Sequence, residues 1–262
     1  MTCDPAVIRH ADKAGVDRIG IDIERMGKHL RQGNRPGYRI SDHELDDLAT
    51  VVSNVTNAEI FVRFNPLHPD SQSEIDRALD LGAQVVMLPS FTEPREAARF
   101  VKMVGGRAKP ILLVETAAAA ARISEFVAIE GVTEVMVGLN DLHISLGWSN
   151  PFEVMTSDLI VSIAAHVREA GIRFGVGGLA RAEDSTLPVS PDLVYAQYPR
   201  LGATAAWLAR SFYSGINTCE IPFEVRKLNE RLAYWFAQPV SALTRQRDAL
   251  ATKIRDFGEQ MR

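Results

Sequence analysis

Short apolar runs recur along most of this chain, each followed by a stretch with helical spacing. A brief, continuously apolar strand is buried on both faces, and parallel βα units supply that burial. The alternation therefore confines the fold to the α/β class with a parallel sheet. Strands are expected at residues 16–23, 59–64, 84–88, 111–114, 134–137, 172–176 and 193–197. Helices are expected at 5–14, 42–52, 72–81, 93–103, 117–128, 155–170 and 202–212, with Asp4 capping the first. A length of 262 residues suits one (β/α)8 (TIM) barrel. No phosphate fingerprint argues for an open doubly wound sheet. The count stops at seven strands, so a short or truncated first strand is expected in Met1-Thr2-Cys3. Two more helices, at 222–236 and 241–261, are separated by Gln238-Pro239. The expected organisation is a barrel over 1–215 and C-terminal helices over 216–262. These helices pack on their own barrel or on a neighbouring subunit.

Charge and cysteine usage exclude several classes. Net charge is −4, and no Lys/Arg cluster stands clear of acids, so no nucleic-acid footprint is present. Two distant cysteines, Cys3 and Cys219, make neither a disulfide framework nor a cysteine zinc site and fit a reducing cytoplasm. No apolar run approaches a membrane span, and the first residues lack a signal-peptide core.

Two acids stand at matched strand ends. Glu115 closes Ile111-Leu112-Leu113-Val114, and Asp141 follows Val135-Met136-Val137-Gly138-Leu139-Asn140. Either acid alone reads most simply as a cap or turn residue. Together, at one mouth, they form a hard oxygen pair suited to Mg²⁺ or Mn²⁺. Asp22 and Glu24 share one face of the first strand, because side chains alternate. Arg63 lies inside the apolar Phe61-Val62-Arg63-Phe64, where an unpaired charge would be expensive. It either pairs with Glu24 or Glu115 to hold the barrel, or faces an anionic substrate. Gly175-Val176-Gly177-Gly178 reads as a tight turn rather than a phosphate cradle. Residues 26–40 form an expected long loop over the mouth, with Lys28, His29, Arg31, Arg35 and Arg39.

Five ordered motifs resemble the HpcH/HpaI aldolase/citrate lyase β-subunit family of pyruvate- and phosphoenolpyruvate-binding barrels. The most specific runs from Gly131 through Gly138-Leu139-Asn140-Asp141-Leu142 to Ser145-Leu146-Gly147. The others are Val114-Glu115-Thr116, Val86-Met87-Leu88-Pro89, Phe61-Val62-Arg63-Phe64-Asn65-Pro66, and Gly15-Val16-Asp17 with Asp22-Ile23-Glu24. The resemblance implies a carbon–carbon lyase that cleaves or forms a 4-hydroxy-2-oxo acid through a metal-stabilised pyruvate enolate. It implies Glu115 and Asp141 as ligands of Mg²⁺ (or Mn²⁺/Co²⁺), Arg63 on the substrate, and Ser90, Gly138 and Asn140 lining the 2-oxo acid. Glu24, Arg25 and His143 join Arg63 as catalytic candidates. It also implies a homo-oligomer built through the C-terminal helices.

Departures from the family pattern are specific. Arg25 stands where aldolases carry a histidine, and a guanidinium stays protonated. Ser90 and His143 also differ from the usual residues. Substitutes for the missing acid–base group are a metal-bound water, His29, His43 or His143. An acyl-CoA lyase or citrate-type synthase, and a non-catalytic metal and oxo-acid binder, are the competing readings.

Overall fold

The computed structural model describes residues 1–32 and 40–260. Arg35 and Arg39 of the expected loop therefore lie outside the described residues. Seven parallel strands pair in strict sequence order. They are β1 (Arg18–Asp22), β2 (Glu59–Arg63), β3 (Val85–Leu88), β4 (Lys109–Val114), β5 (Glu134–Val137), β6 (Arg173–Leu179) and β7 (Ala205–Leu208). Consecutive parallel neighbours joined by helices make a curled, TIM-barrel-like sheet. Helices α1 (Pro5–Lys13), α2 (Lys28–Gln32), α3 (Leu48–Asn54), α4 (Ser71–Asp80) and α5 (Pro94–Val104) come first. They are followed by α6 (Ala117–Ala121), α7 (Ile123–Val127), α8 (Leu139–Ser145), α9 (Pro151–Thr156) and α10 (Asp158–Glu169). The last are α11 (Pro191–Tyr195), α12 (Gln197–Leu201), α13 (Arg210–Tyr213), α14 (Ile221–Phe236) and α15 (Val240–Gln260).

Side-chain alternation sorts the apolar residues into two cores. Phe61, Val85, Met87, Ile111, Leu113 and Met136, with Trp207 beside them, form an inner cluster. The opposite strand faces, including Ile21, Val62, Val86, Leu112, Val114 and Val135, join the helices in a second, larger core. The inner face also carries charge at both ends. At the N-terminal end, Arg18 Nη1 lies 2.8 Å from Glu134 and its Nε 3.5 Å from Glu59. Lys109 joins Glu59, and Arg173 lies 3.7 Å from Glu134. At the C-terminal end the register sets Asp22 directly beside Arg63.

Several expectations need correction. Residues 193–197 are helical rather than a strand, with Pro191 opening α11 and Val194, Tyr195 and Tyr198 buried on the following turns. The seventh strand is instead Ala205–Leu208, inside the stretch expected to be the last barrel helix. Alanine-rich Ala205-Ala206-Trp207-Leu208 has helix-forming composition, and pairing with β6 overrides it. No strand is assigned to Met1-Thr2-Cys3; Thr2 N–H donates to Gly20 O at 2.8 Å, so the segment only touches the free edge of β1. The glycines of 175–178 lie within β6, at a register shift opposite β7, with Gly178 at φ +125°. The long loop after β1 contains α2.

Helices α14 and α15 pack on the same chain. Ile221, Val225, Leu228, Trp235, Leu243, Leu250 and Ile254 are buried in the larger core. Arg231 and Trp235 both engage Asp192 on α11.

One close approach sets the inner packing. A Cβ on Gly20 would lie 1.6 Å from Phe61 O, a backbone atom that cannot yield. Gly20→Ala is therefore expected to lower unfolding stability by about 3 kcal/mol, read from urea denaturation midpoints.

Candidate active site

The site grows from the C-terminal ends of β1 and β2. Arg63 donates to both Asp22 oxygens, Nε to Oδ1 at 2.8 Å and Nη2 to Oδ2 at 2.5 Å. Its Nε also lies 3.4 Å from Glu24 Oε2. Glu24 is fully buried and receives Lys28 Nζ at 2.9 Å and the Arg31 guanidinium on its other oxygen. Lys28 Nζ stands 3.5 Å from Asp22 Oδ2. The Arg63 plane lies over Trp207, with Cζ 5.1 Å from the ring centroid. Burial pushes Asp22 upward, but the Arg63 charge and hydrogen bonds, with Lys28, outweigh it and hold the carboxyl at about 2. Burial likewise opposes the Arg63 charge, and Asp22, Glu24 and Glu115 more than restore it.

Glu115 continues the inward face of β4 after Ile111 and Leu113. Its Oε1 accepts from both Ser90 N–H and Ser90 Oγ–H, each at 2.9 Å. Ser90 achieves this in the left-handed region, at φ +54°. Such backbone is uncommon outside glycine and is retained where the surroundings enforce it. Gly138 leaves the room on the other side, since a Cβ there would meet Glu115 Oε2 at 2.9 Å. Gly138 also caps α8, whose first turn carries buried Asp141. Ser145 Oγ accepts from Ala117 N–H at 2.9 Å, tying α8 to the turn after Glu115.

The remaining candidates land differently. Arg25 turns outward: Nη2 donates to Asp42 O at 2.5 Å and His43 O at 3.0 Å, strapping that segment to the rim. His143 is buried on α8, with Nδ1 3.2 Å from Leu139 O. His43 Nδ1 accepts from Asp22 N–H at 3.1 Å. Asn140 is exposed. Lys28 and Trp207 were not singled out as site residues in the sequence, yet both touch the Asp22–Arg63–Glu24 cluster. Lys28 opens α2, and the turn at Met26-Gly27 brings it back onto Glu24, a contact that spacing alone does not reveal.

A family model described as HpcH/HpaI aldolase/citrate lyase matches residues 3–185. An HpcH/HpaI aldolase from Desulfitobacterium hafniense DCB-2 superposes with a TM-score of 0.59 at 16% identity, covering 80% of this chain and 83% of its own. An HpcH/HpaI aldolase/citrate lyase family protein from Burkholderia cenocepacia J2315 gives 0.63 at 17% identity, with 88% and 90% covered. The citrate synthase SbnG gives 0.59 at 18%, with 88% and 89% covered. At these identities the structural likeness concerns the fold. Curated protein sequences give no match.

Whether the residues fit a divalent cation is decided by charge. Asp22, Glu24, Glu115 and Asp141 are buried together with Lys28 and Arg63, while Arg31 reaches in from α2. Among the described residues these acids crowd into one buried cluster, where neighbouring negative charge opposes ionisation. Glu115 carries the effect: burial, Glu24 and Asp141 push its carboxyl from 4.5 to about 8, against Arg63 and Ser90. Among the described residues no group of three or more His, Cys, Asp or Glu gathers as a cage. Glu115 at the end of β4 and Asp141 on the first turn of α8 supply hard oxygen donors of the kind such a cation takes. One or two carboxylates completed by water is how Mg²⁺ is usually held, so the pair fits.

A raised acid has a definite linkage sign. Between about pH 4.5 and 8 the folded state keeps a proton on Glu115 that the unfolded chain releases, so stability falls as pH rises through that window. Glu115→Gln removes this slope. Urea midpoints of chelator-treated protein across the window are expected to decline in the unsubstituted chain and to flatten in the variant.

Proposed function

Since the chain belongs to the HpcH/HpaI aldolase/citrate lyase family, we propose that it is a divalent-metal-dependent carbon–carbon lyase. The substrate class is a 4-hydroxy-2-oxo acid, cleaved to pyruvate or a relative plus an aldehyde, or formed in reverse. The observation that carries this reading is the geometry of Glu115, fixed by two Ser90 hydrogen bonds, in a mouth shared with Asp141 and an Arg63 locked by Asp22.

Glu115 and Asp141 hold the cation. When bound, it supplies Lewis-acid polarisation of the 2-oxo group. Ser90 fixes Glu115 Oε1 with two hydrogen bonds, leaving Oε2 as the outward donor. Asp22 and Glu24 engage Nε and Nη2 of Arg63, so Nη1 is the edge left to meet the substrate carboxylate or oxo oxygen. Because those partners and Trp207 already orient the guanidinium, little reorganisation accompanies charge development. The C3–C4 bond breaks with its electron pair delocalised over C3 and the oxo oxygen, and C4 departs as the aldehyde carbonyl. Arg63 offsets the negative charge that accumulates. Arg25, bonded to the Asp42 and His43 carbonyls, holds the rim.

Exchange of pyruvate methyl protons with heavy water, followed by proton NMR with added Mn²⁺ or Mg²⁺, tests the reading. The unsubstituted protein is expected to exchange them, and Glu115→Gln is expected not to. Mn²⁺ binding without exchange would instead identify a binder without turnover. Ser90→Ala is expected to weaken Mn²⁺ affinity about 10- to 100-fold, measured by electron paramagnetic resonance of the free ion.

A further inference from the structure

The groups assigned to the oxo-acid end of the substrate occupy one arc of the mouth. Arg63 belongs to β2, Ser90 follows β3, Glu115 follows β4, and Asp141 follows β5 on α8. β1 leads to Asp22 and Glu24, both taken up by ion pairs. The arc that remains, β6 and β7, carries a different chemistry. The register sets Gly177 of β6 directly beside Trp207 of β7. Partners in a parallel register point to the same side, so the indole meets no side chain from its β6 partner.

A Cβ at Gly177 would come no nearer than 3.7 Å to another atom, Val137 O, so the space beside the indole is open. Gly178, at φ +125°, adds no side chain either, and both glycines are half-buried near the mouth end of β6. On its other side Trp207 spans the seam where, among the described residues, β7 and β1 are unpaired. It meets Phe61 edge-on, with ring centroids 6.5 Å apart, and lies 5.1 Å from Arg63 Cζ. The half-buried indole is thus anchored on the inner cluster and borders the substrate-facing guanidinium. The charges nearest in sequence are placed elsewhere. Arg181 is bonded to Phe212 O and Ser214 O and paired with Asp184, and Arg210 is exposed on α13.

Resting on the lyase reading, we propose that Trp207 and Gly177 form the specificity wall for the aldehyde half of the substrate, and that the group on C4 is uncharged and apolar. With the carboxylate and oxo oxygen held by the β2–β5 arc, C4 extends toward β6 and β7. Glycine lets a ligand approach the strand closely, and an indole takes an alkyl or aryl group against its ring. A carboxylate or phosphate placed there would lose water without gaining a partner. Lys28 and Arg31, on the helix after β1, are spent on Glu24 and do not supply one.

The test measures kcat/KM for addition of pyruvate, with Mn²⁺, to acetaldehyde, butanal and 4-oxobutanoate. Butanal and 4-oxobutanoate share a chain length and differ in the terminal carboxylate. Butanal is expected to be favoured over 4-oxobutanoate by about tenfold or more. Trp207→Gln makes the wall polar and is expected to erase that preference. Gly177→Ala fills the space beside the ring and is expected to lower butanal relative to acetaldehyde by about tenfold. Each readout is a ratio between aldehydes, so any loss in handling pyruvate cancels. Gly177→Ala, whose Cβ enters open space, keeps the test in force if Trp207→Gln does not fold. A preference for 4-oxobutanoate in the unsubstituted protein, or either ratio left unmoved by its substitution, would overturn the proposal. Absence of pyruvate methyl-proton exchange in the unsubstituted protein sinks the lyase reading and this inference together. Exchange without the butanal preference sinks only the inference.

Discussion

Arg63 stands in an apolar strand, and the layout of the mouth follows from how its charge is matched. Asp22 meets it edge-on across one register step, and Glu24 meets it from the next inward position of the same chain segment. Breaking such a buried set by removing one member costs about 3–5 kcal/mol, because the others are left uncompensated. The same interlock draws α2 onto the barrel, since Lys28 and Arg31 both close on Glu24. A rigid cation and a docked helix thus come from one arrangement of acids.

Glu115 is the exception to this matching. Its neighbours orient it without neutralising it: Ser90 supplies two dipoles, and Gly138 supplies space. Electrostatic mismatch of this kind concentrates at functional positions, where a ligand completes what the fold leaves open. The strained backbone at Ser90 belongs to the same pattern, a local cost retained for the placement of two donors.

Much of this was legible in the chain. Continuous apolar runs placed six of the seven strands, because burial on both faces leaves no other pattern. The paired acids at strand ends and the lone arginine stood out for the same reason, as charges where water is excluded. β7 was hidden because its four residues carry helix-forming composition, and its strand identity comes only from the neighbour it pairs with. Arg25 shows a different limit. Sequence places it beside Glu24 at the mouth, but the direction of its side chain depends on the carbonyls of Asp42 and His43, contacts with no sequence signature. Lys28 is the converse, a loop residue by composition that the fold turns inward.

The far end of the barrel has its own implication. Arg18, Glu59, Lys109, Glu134 and Arg173 seal it with interlocking ion pairs, and Phe61, Met87, Ile111, Leu113 and Met136 fill the shaft between. Among the described residues, that end of the shaft is thus closed by charge and by bulk, and the mouth with Arg63 and Glu115 is the side on which the barrel's interior meets its surroundings.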